Sequence, residues 1–245
     1  MKDSLKISSL LNRLILIIIS VISISTLCLA KDSISSAINT TEPKSANNNN
    51  ATSQAYSFTE QPFDAIQLNG AFEMTAQVTH QPHTANVIIT TSDSLLPYIK
   101  VYVKNKTLYI SKKDDREFHP FNKIKVTVSV ENLKSIKTNG SSNSHINDIK
   151  ADDFAAEING SGNIVLQGNA EKLAAEIHGS GEIDAKNLMT KKTNASIYGS
   201  GYIIANATQK MDLKIYGSGK IEYYGHPQKI EQAIYGSGKT KDMGI

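Results

Sequence analysis

Hydrophobic residues in the second half of the chain recur at a fixed spacing around a repeated Gly-Ser-Gly motif. Counted from the first glycine of each motif, isoleucine stands two residues before it and four residues after it. Apolar and polar positions therefore alternate on both sides of the motif, which is the two-residue period of a strand with one buried face and not the 3.6-residue period of a helix. The two isoleucine sets are Ile158, Ile177, Ile197, Ile215 and Ile234, and Ile164, Ile183, Ile203 and Ile221.

The glycines of these motifs are themselves regularly spaced. Successive first glycines are 20, 19, 20, 18 and 19 residues apart, counted from a Gly-Ser-Ser variant that begins at Gly140. A side chain at such a corner would have to adopt a positive φ or would crowd the neighbouring repeat, so we predict that these glycines are structural turn residues. They are Gly160, Gly162, Gly179, Gly181, Gly199, Gly201, Gly217, Gly219, Gly236 and Gly238.

A repeat of about 19 residues with one buried stripe is not stable alone, and stacking of the copies buries the stripes against one another. We therefore predict an all-β fold in which residues 137–245 form a right-handed parallel β-helix, or β-solenoid. Each repeat is expected to contribute a strand, a Gly-Ser-Gly corner, a second strand and a polar return. Residues 58–136 hold less regular strands and should continue the stack as its N-terminal part, with Leu68 and Met74 in the two isoleucine columns.

The N-terminal residues differ in composition from the rest of the chain. Residues 1–30 have basic residues, then an apolar run, then small residues at Cys28 and Ala30, which is typical of a secretory signal peptide cleaved after Ala30. An uncleaved membrane anchor is the alternative, and an acylated Cys28 is a weaker one because bulky Leu27 precedes it. Residues 31–57 are rich in Ser, Thr and Asn and are predicted to be a disordered tether. The protein should therefore be exported, to the periplasm, the outer cell surface or the medium.

Composition narrows the possible chemistry. The chain has 245 residues and a formal net charge of +3, and loss of the leader would leave 23 basic and 22 acidic residues, a net charge of +1. So balanced a charge argues against nucleic-acid binding. The single cysteine, Cys28, lies in the leader, so the exported chain would have neither thiol nor disulfide. The six histidines show no metal-ligand spacing, and we predict no metal site and no cofactor.

No catalytic cluster stands out in the sequence. The serine of the Gly-Ser-Gly motif recurs in every repeat, whereas nucleophilic catalysis needs one serine singled out by a base. The acidic residues are scattered over repeat positions, as expected of solvated outer faces. We therefore expect a non-enzymatic protein. A carbohydrate-active β-helix enzyme is the alternative, which would require carboxylates converging in a groove, and a purely structural envelope protein is another.

The order of several short motifs resembles a known bacterial family, the putative auto-transporter adhesin, head GIN domain. The resemblance runs from about Tyr56 to the C-terminus and ends in the serial Gly-Ser-Gly motifs. It implies an exported, all-β, solenoid-like domain and an adhesin or cell-envelope interaction protein. The preceding motifs that carry it are Phe63-Asp64-Ala65-Ile66, Leu95-Leu96-Pro97-Tyr98-Ile99, Leu108-Tyr109-Ile110, Lys125-Val126-Thr127-Val128 and Leu133-Lys134-Ser135-Ile136.

The residue immediately before each first glycine provides the candidate binding site. Stacked repeats would place one histidine and three tyrosines in a column, flanked by the turn serines and by Lys220 and Lys239. Facing outward, this column could hold the apolar face of a sugar ring or another protein's surface. The alternative is that ring stacking only stabilises the solenoid. The column consists of His178, Tyr198, Tyr216 and Tyr235.

The partner that this site predicts is an unknown protein or glycan at the cell surface. We expect no nucleic acid among the partners, and contact with a membrane only through an uncleaved leader. The oligomeric state does not follow from the sequence.

Overall fold

The computed structural model describes residues 51–113 and 124–244, so the predicted leader and most of the predicted tether lie outside the described residues. Within them the fold is all β, apart from one 3-10 helix at Leu96–Tyr98, and no helix is long and apolar enough to cross a membrane. The strands are β1 (Ala51–Ser57), β2 (Ala65–Gly70), β3 (Glu73–Val78), β4 (Ala85–Ser92), β5 (Ile99–Lys104), β6 (Thr107–Lys112), β7 (Lys125–Val130), β8 (Ser135–Gly140), β9 (Asn143–Gly160), β10 (Asn163–Gly179), β11 (Glu182–Gly199), β12 (Tyr202–Gly217), β13 (Lys220–Tyr224), β14 (Lys229–Gly236) and β15 (Lys239–Asp242).

Successive repeats pair in parallel and in register. Ile177 in β10 lies beside Ile158 in β9 on one side and beside Ile197 in β11 on the other. All the isoleucines of the two predicted columns are fully buried except Ile234 in the last turn, which is 40% exposed. The predicted β-solenoid is therefore confirmed, with about five turns and a mixed β part at its N-terminal end. The right-handed sense of its winding stays a prediction.

Each turn of the solenoid has three sides, which we name by their position relative to the Gly-Ser-Gly corner. In the β10 repeat, the post-turn side follows one corner at residues 163–166, the return side is at 168–170, and the pre-turn side leads to the next corner at 172–179. The sequence analysis took the return for a polar connection, but β9 to β12 are 16–18 residues long and run through it. Ala170 and Leu188 point into the core from this side, while Asn169 and Met189 are exposed. The polar residues of the return therefore mark an outer face of paired strand.

The Gly-Ser-Gly corner leaves no room for a side chain at either glycine. Gly199 has a φ of +137°, and a Cβ there would collide with the carbonyl oxygen of Gly179 in the preceding turn. A Cβ on Gly201 would lie 2.7 Å from Cγ2 of Ile177, so the isoleucine of one turn packs against the second glycine of the next. The backbone N–H of Ser200, between the two glycines, donates to the carbonyl of Gly179 at 2.9 Å.

The N-terminal part continues the stack, but its turns do not follow one another in chain order. The turn formed by β2 and β3 pairs in parallel with β8 and β9 on one side and with β6 and β7 on the other. It therefore lies between two segments that both come later in the sequence. Leu68 and Met74 are in register with Thr138 and Ser144, as the column alignment predicts.

Antiparallel strands cover the N-terminal end of the stack. β5 pairs with β6 on the pre-turn side, and β4 pairs with β7 on the post-turn side, where β1 adds a further strand beyond β4. These antiparallel pairs make the N-terminal part a mixed β structure.

Residues 51–57 correct the predicted extent of the tether, because they form β1. Tyr56 supplies the apolar surface that the sequence analysis undervalued: it packs on the core and stacks on Phe58, with ring centroids 6.4 Å apart. The hydroxyls of Ser53 and Thr90 add a hydrogen bond of 2.8 Å between β1 and β4. Paired residues of this kind belong to the folded domain, so the predicted boundary at residue 57 is too late in the chain.

One turn of the solenoid has hydroxyl groups in its core. Thr138, Ser142 and Ser144 are fully buried at places where neighbouring turns carry larger apolar residues or glycine. The hydroxyl of Ser142 donates to the carbonyl of Gly70 at 3.0 Å and accepts from the backbone N–H of Phe72 at 3.1 Å. The hydroxyls of Thr138 and Ser144 have no hydrogen-bond partner among the described residues. A buried unpaired hydroxyl costs about 1–3 kcal/mol, so this turn is less stable than its neighbours.

The corner geometry predicts that Gly199→Ala destabilises the protein by about 1–3 kcal/mol, because alanine is strained at this φ and its Cβ meets the backbone of the turn before it. Thermal unfolding followed by circular dichroism measures the effect. The control is Ser200→Ala at the next residue, which removes an exposed hydroxyl and leaves the backbone hydrogen bond in place. Equal melting temperatures for the two variants would contradict the assignment.

The unpaired core hydroxyls predict that Thr138→Val increases the free energy of unfolding by about 1 kcal/mol, since valine keeps the shape and removes the buried polar atom. The matched control is Thr193→Val, because Thr193 is equally buried but shares a hydrogen bond of 2.8 Å with the hydroxyl of Thr190. That variant should be less stable than the wild type. Urea unfolding of the three proteins tests this, and a change of the same sign in both variants would show that hydrogen bonding does not decide the outcome.

Candidate binding surface

The structure brings the four predicted binding residues together in one outward-facing column. Each lies one residue beyond an inward-facing isoleucine on the pre-turn side, so alternation along the strand turns it to the outer surface. We call this column the aromatic ladder. Consecutive ring centroids are 4.7, 4.9 and 5.0 Å apart, with interplanar angles of 4°, 1° and 10°. In order along the stack, its members are His178, Tyr198, Tyr216 and Tyr235.

Face-to-face stacking decides which part of each ring is accessible. Tyr198 and Tyr216 have both ring faces covered by their neighbours and are each 40% exposed, whereas Tyr235 is 62% exposed and has one ring face uncovered. Of the three tyrosines, only Tyr235 therefore has a ring face that the stacking leaves accessible. The rest of the ladder presents ring edges and phenol hydroxyls.

The groups beside the ladder differ in part from those expected. The turn serines are exposed at the same corner, two residues after each ladder position. Lys239 is exposed as well, but Lys220 belongs to the post-turn side. Its Nζ pairs with the carboxylate of Glu222 at 2.5 Å and lies 5.3 Å from the ring centroid of Tyr202. Of the predicted flanking groups, the turn serines and Lys239 therefore lie beside the ladder, and Lys220 does not.

Towards the N-terminal end of the solenoid the same column consists of asparagines, which the sequence analysis did not single out. The side-chain amide of Asn139 donates to Asn69 at 2.6 Å, and that of Asn159 donates to Asn139 at 2.9 Å. Glu157 beside them accepts from Asn159 and from Lys137. Partial burial opposes ionisation there, but these two hydrogen bonds lower the pKa of Glu157. Alignment on the first glycine already places Asn139 and Asn159 in this column, but it does not show that their amides bind one another.

A column of lysines runs along the far edge of the pre-turn side, where each turn enters that side. Lys172 pairs with Asp153 at 3.2 Å. Glu231 accepts from Lys210 at 2.8 Å and from Lys229 at 2.7 Å, and these hydrogen bonds lower the pKa of Glu231 to about 2. The four lysines in register are Lys172, Lys192, Lys210 and Lys229.

A tyrosine and a glutamate form a compact polar cluster on the post-turn side. Glu222 is buried although it lies on the outer surface, because Tyr202 and Lys220 cover it. Hydrogen bonds from Lys220 and from the Tyr202 hydroxyl lower the pKa of Glu222. Burial and the neighbouring carboxylate raise the pKa of Tyr202. All the charged groups of the cluster are paired, so it stabilises the C-terminal turns and offers no open site.

Two shallow depressions lie on the other sides. The one on the post-turn side, of about 580 Å³, is lined by His145, Glu182 and Asp184 among others. The other, of about 1180 Å³, opens on the return side next to Met189 and Lys191. Within residues 51–113 and 124–244, no group of three or more His, Cys, Asp or Glu side chains is placed to hold a metal ion.

The amino-acid sequence is similar to one described protein family. A profile of the family described as "Putative auto-transporter adhesin, head GIN domain" matches residues 62–227, more than half of the chain. No curated protein sequence matches the chain.

Crystal structures with the same fold include three described as putative adhesins. The structure from Bacteroides fragilis has a TM-score of 0.65 at 24% sequence identity, and the match covers 79% of this chain and 97% of the B. fragilis chain. That from Parabacteroides merdae has a TM-score of 0.53 at 20% identity and covers 80% and 97%. That from Parabacteroides distasonis has a TM-score of 0.50 at 23% identity and covers 80% and 98%. Identities this low establish the fold alone.

The Glu222 cluster predicts a pH dependence of stability. A carboxyl group whose pKa is lower in the folded than in the unfolded state stabilises the fold above its ordinary pKa of 4.5, and this stabilisation is lost as the pH falls below it. The melting temperature should therefore fall from pH 6 to pH 3. The difference between wild type and Glu222→Gln should be largest at pH 6 and shrink at pH 3. Glu182→Gln, on the same side, is the control, and a pH-independent difference for Glu222→Gln would contradict the interpretation.

Proposed function

The chain belongs to the family described as "Putative auto-transporter adhesin, head GIN domain", and we propose that it is a non-enzymatic, extracytoplasmic binding module that contacts a cell-surface glycan or protein through the aromatic ladder. The ladder carries this proposal, because three tyrosines in a row are exposed on the outer corner of a rigid solenoid. Exposed aromatic rows of this kind are uncommon on surfaces without partners, and tyrosine is enriched at interfaces.

The chemistry of the ladder suits a polymer that bears many hydroxyl groups. Its phenol hydroxyls can both donate and accept hydrogen bonds, and the rings that carry them repeat every 4.9–5.0 Å beside the exposed turn serines. The ring edges add apolar contact, and the free face of Tyr235 can stack on one sugar ring. Because each strand that carries the ladder is paired to its neighbours, the tyrosines lose little conformational freedom on binding.

An extracytoplasmic location is supported by two independent features. Residues 1–30 have the composition of a secretory signal peptide. The family is described by reference to auto-transporter adhesins. A binding surface on the solenoid would then face other cells or the envelope of the same cell.

The test separates binding from stacking. The triple variant Tyr198→Phe, Tyr216→Phe, Tyr235→Phe keeps the stacked rings and removes only the hydroxyls, so its melting temperature should stay close to that of the wild type. Loss of three hydrogen bonds, at about 0.5–1.5 kcal/mol each, should weaken binding to a glycan array and to intact cells at least about tenfold.

The matched control is Tyr102→Phe with Tyr109→Phe, a second stacked tyrosine pair with ring centroids 5.0 Å apart on β5 and β6. It should bind as the wild type does. Undiminished binding by the triple variant, together with a large loss of stability on replacing the same tyrosines with alanine, would leave the ladder a purely structural feature.

A further inference from the structure

The two ends of the solenoid differ in how well they are covered. At the C-terminal end, β14 pairs only with β12 and β15 only with β13 among the described residues. Ile234 is 40% exposed there, although its four equivalents are fully buried, and Ile230 is only partly buried. The N-terminal end carries antiparallel strands instead. An unpaired strand edge with apolar side chains beside it recruits a further strand.

We propose that the C-terminal end binds a second copy of this chain, by antiparallel pairing of β14 with β14 of that copy about a twofold axis. A twofold interface requires that the same strand be complementary to itself. The side-chain order of β14 meets this requirement on its inner and on its outer face. The pairing would cover the free ring face of Tyr235, so the binding proposed for the aromatic ladder would then rest on its ring edges and hydroxyls.

The inward-facing residues of β14 select the register. They are Ile230, Gln232 and Ile234, in line with the buried residues Met211, Leu213 and Ile215 of β12. In a pair of antiparallel strands, residues directly opposite each other point to the same face of the sheet. A shift of the register by one residue would therefore place inward-facing residues of one copy opposite outward-facing residues of the other. The register that centres on Gln232 places each Ile230 opposite Ile234 of the second copy.

The register centred on Gln232 also provides hydrogen-bond partners for the side-chain amide of this residue. In the single chain its Oε1 accepts from the hydroxyl of Thr240 at 2.6 Å. Two glutamine side chains facing each other across the axis can donate and accept reciprocally. The exposed isoleucines would thereby become covered without leaving a polar group unpaired.

The outer face of β14 is complementary in the same register. It places Lys229 opposite Tyr235 of the second copy, whose outer ring face is the one that the ladder leaves uncovered. The solenoid already contains this pairing, because Lys220 and Tyr202 are register partners on adjacent strands with Nζ 5.3 Å from the ring centroid. A cation over an aromatic ring is attracted by the ring quadrupole, and the twofold axis would supply two such contacts.

The acidic residue of β14 does not oppose this arrangement strongly. Glu231 would face Ala233 of the second copy and approach its own counterpart diagonally. Each Glu231 carboxylate already accepts from Lys210 and Lys229 of its own chain, at 2.8 and 2.7 Å. The two negative charges are therefore compensated before they meet across the axis.

Cysteine cross-linking tests the register in the full-length chain. In a Cys28→Ser background, Gln232→Cys places two thiols directly opposite each other, at the Cα separation of about 4.5–5.5 Å that a disulfide accepts. Mild oxidation should give a disulfide-linked dimer on a non-reducing gel. The control, Ala233→Cys, moves the thiols one residue along and out of direct opposition, so it should cross-link much more slowly. Equal cross-linking of both variants, or none with Gln232→Cys, would overturn the proposal.

Sedimentation equilibrium tests the association itself. The wild-type protein should be a dimer at micromolar concentration, and Ile234→Lys should shift it to a monomer by placing a charge in the new core. Ile88→Lys is the matched control, because Ile88 is a similarly exposed strand isoleucine, 41% accessible, on β4 at the other end. It should remain dimeric. A monomeric wild type, whether its end stays open or is covered by another part of the same chain, would overturn the proposal, as would equal dissociation of both variants.

Discussion

The close approach of successive backbones at the Gly-Ser-Gly corner is the constraint on which the rest of the structure depends. At four successive corners the carbonyl of the first glycine accepts the serine N–H of the following turn at 2.9–3.0 Å, and a Cβ would occupy the same space; the accepting residues are Gly140, Gly160, Gly179 and Gly199. At the last corner the carbonyl of Gly217 accepts from the N–H of Gly238 instead. This contact sets the register of every turn against the next. Once the corner is in register, alternation along the strand decides the rest: isoleucine two residues earlier faces inward, and the ladder residue between it and the glycine faces outward.

The parts of the structure that could be predicted from the sequence are those that repeat. The glycine corners, the buried isoleucines and the column that contains Tyr198 all follow from one alignment, because equivalent residues of a solenoid share one environment. The orientation of the tyrosine rings did not follow from that alignment, since a column of residues does not say whether rings stack or lie flat. The return side was missed because its outer residues are polar and the inward Ala170 and Leu188 are few.

The N-terminal part could be predicted only in outline, because it has one copy of each element. Leu68 was placed in its column by its likeness to the repeats, but nothing in a single copy shows that β6 and β7 precede β2 and β3 in space. The same limit applies to β1, where a single tyrosine at position 56 provides the packing that turns a polar segment into an edge strand.

The outer column that contains the aromatic ladder is informative because its residues vary from turn to turn. The fold accepts asparagine, histidine or tyrosine there, so the geometry of the corner does not account for the change from Asn159 to Tyr198 along one column.

The order of the turns also has a consequence for a chain that crosses a membrane from its N-terminus. The strands at residues 65–78 find both of their neighbours in later sequence, at 107–130 and from 135 onwards. In an exported chain these first strands have no partner until residues 107–130 have emerged, and their second neighbours follow only with residues 135–147. After that point, each repeat that emerges can pair at once with the completed turn before it. Assembly would therefore have a slow opening phase, in which the early segment needs protection from other strands, followed by processive growth towards the C-terminus.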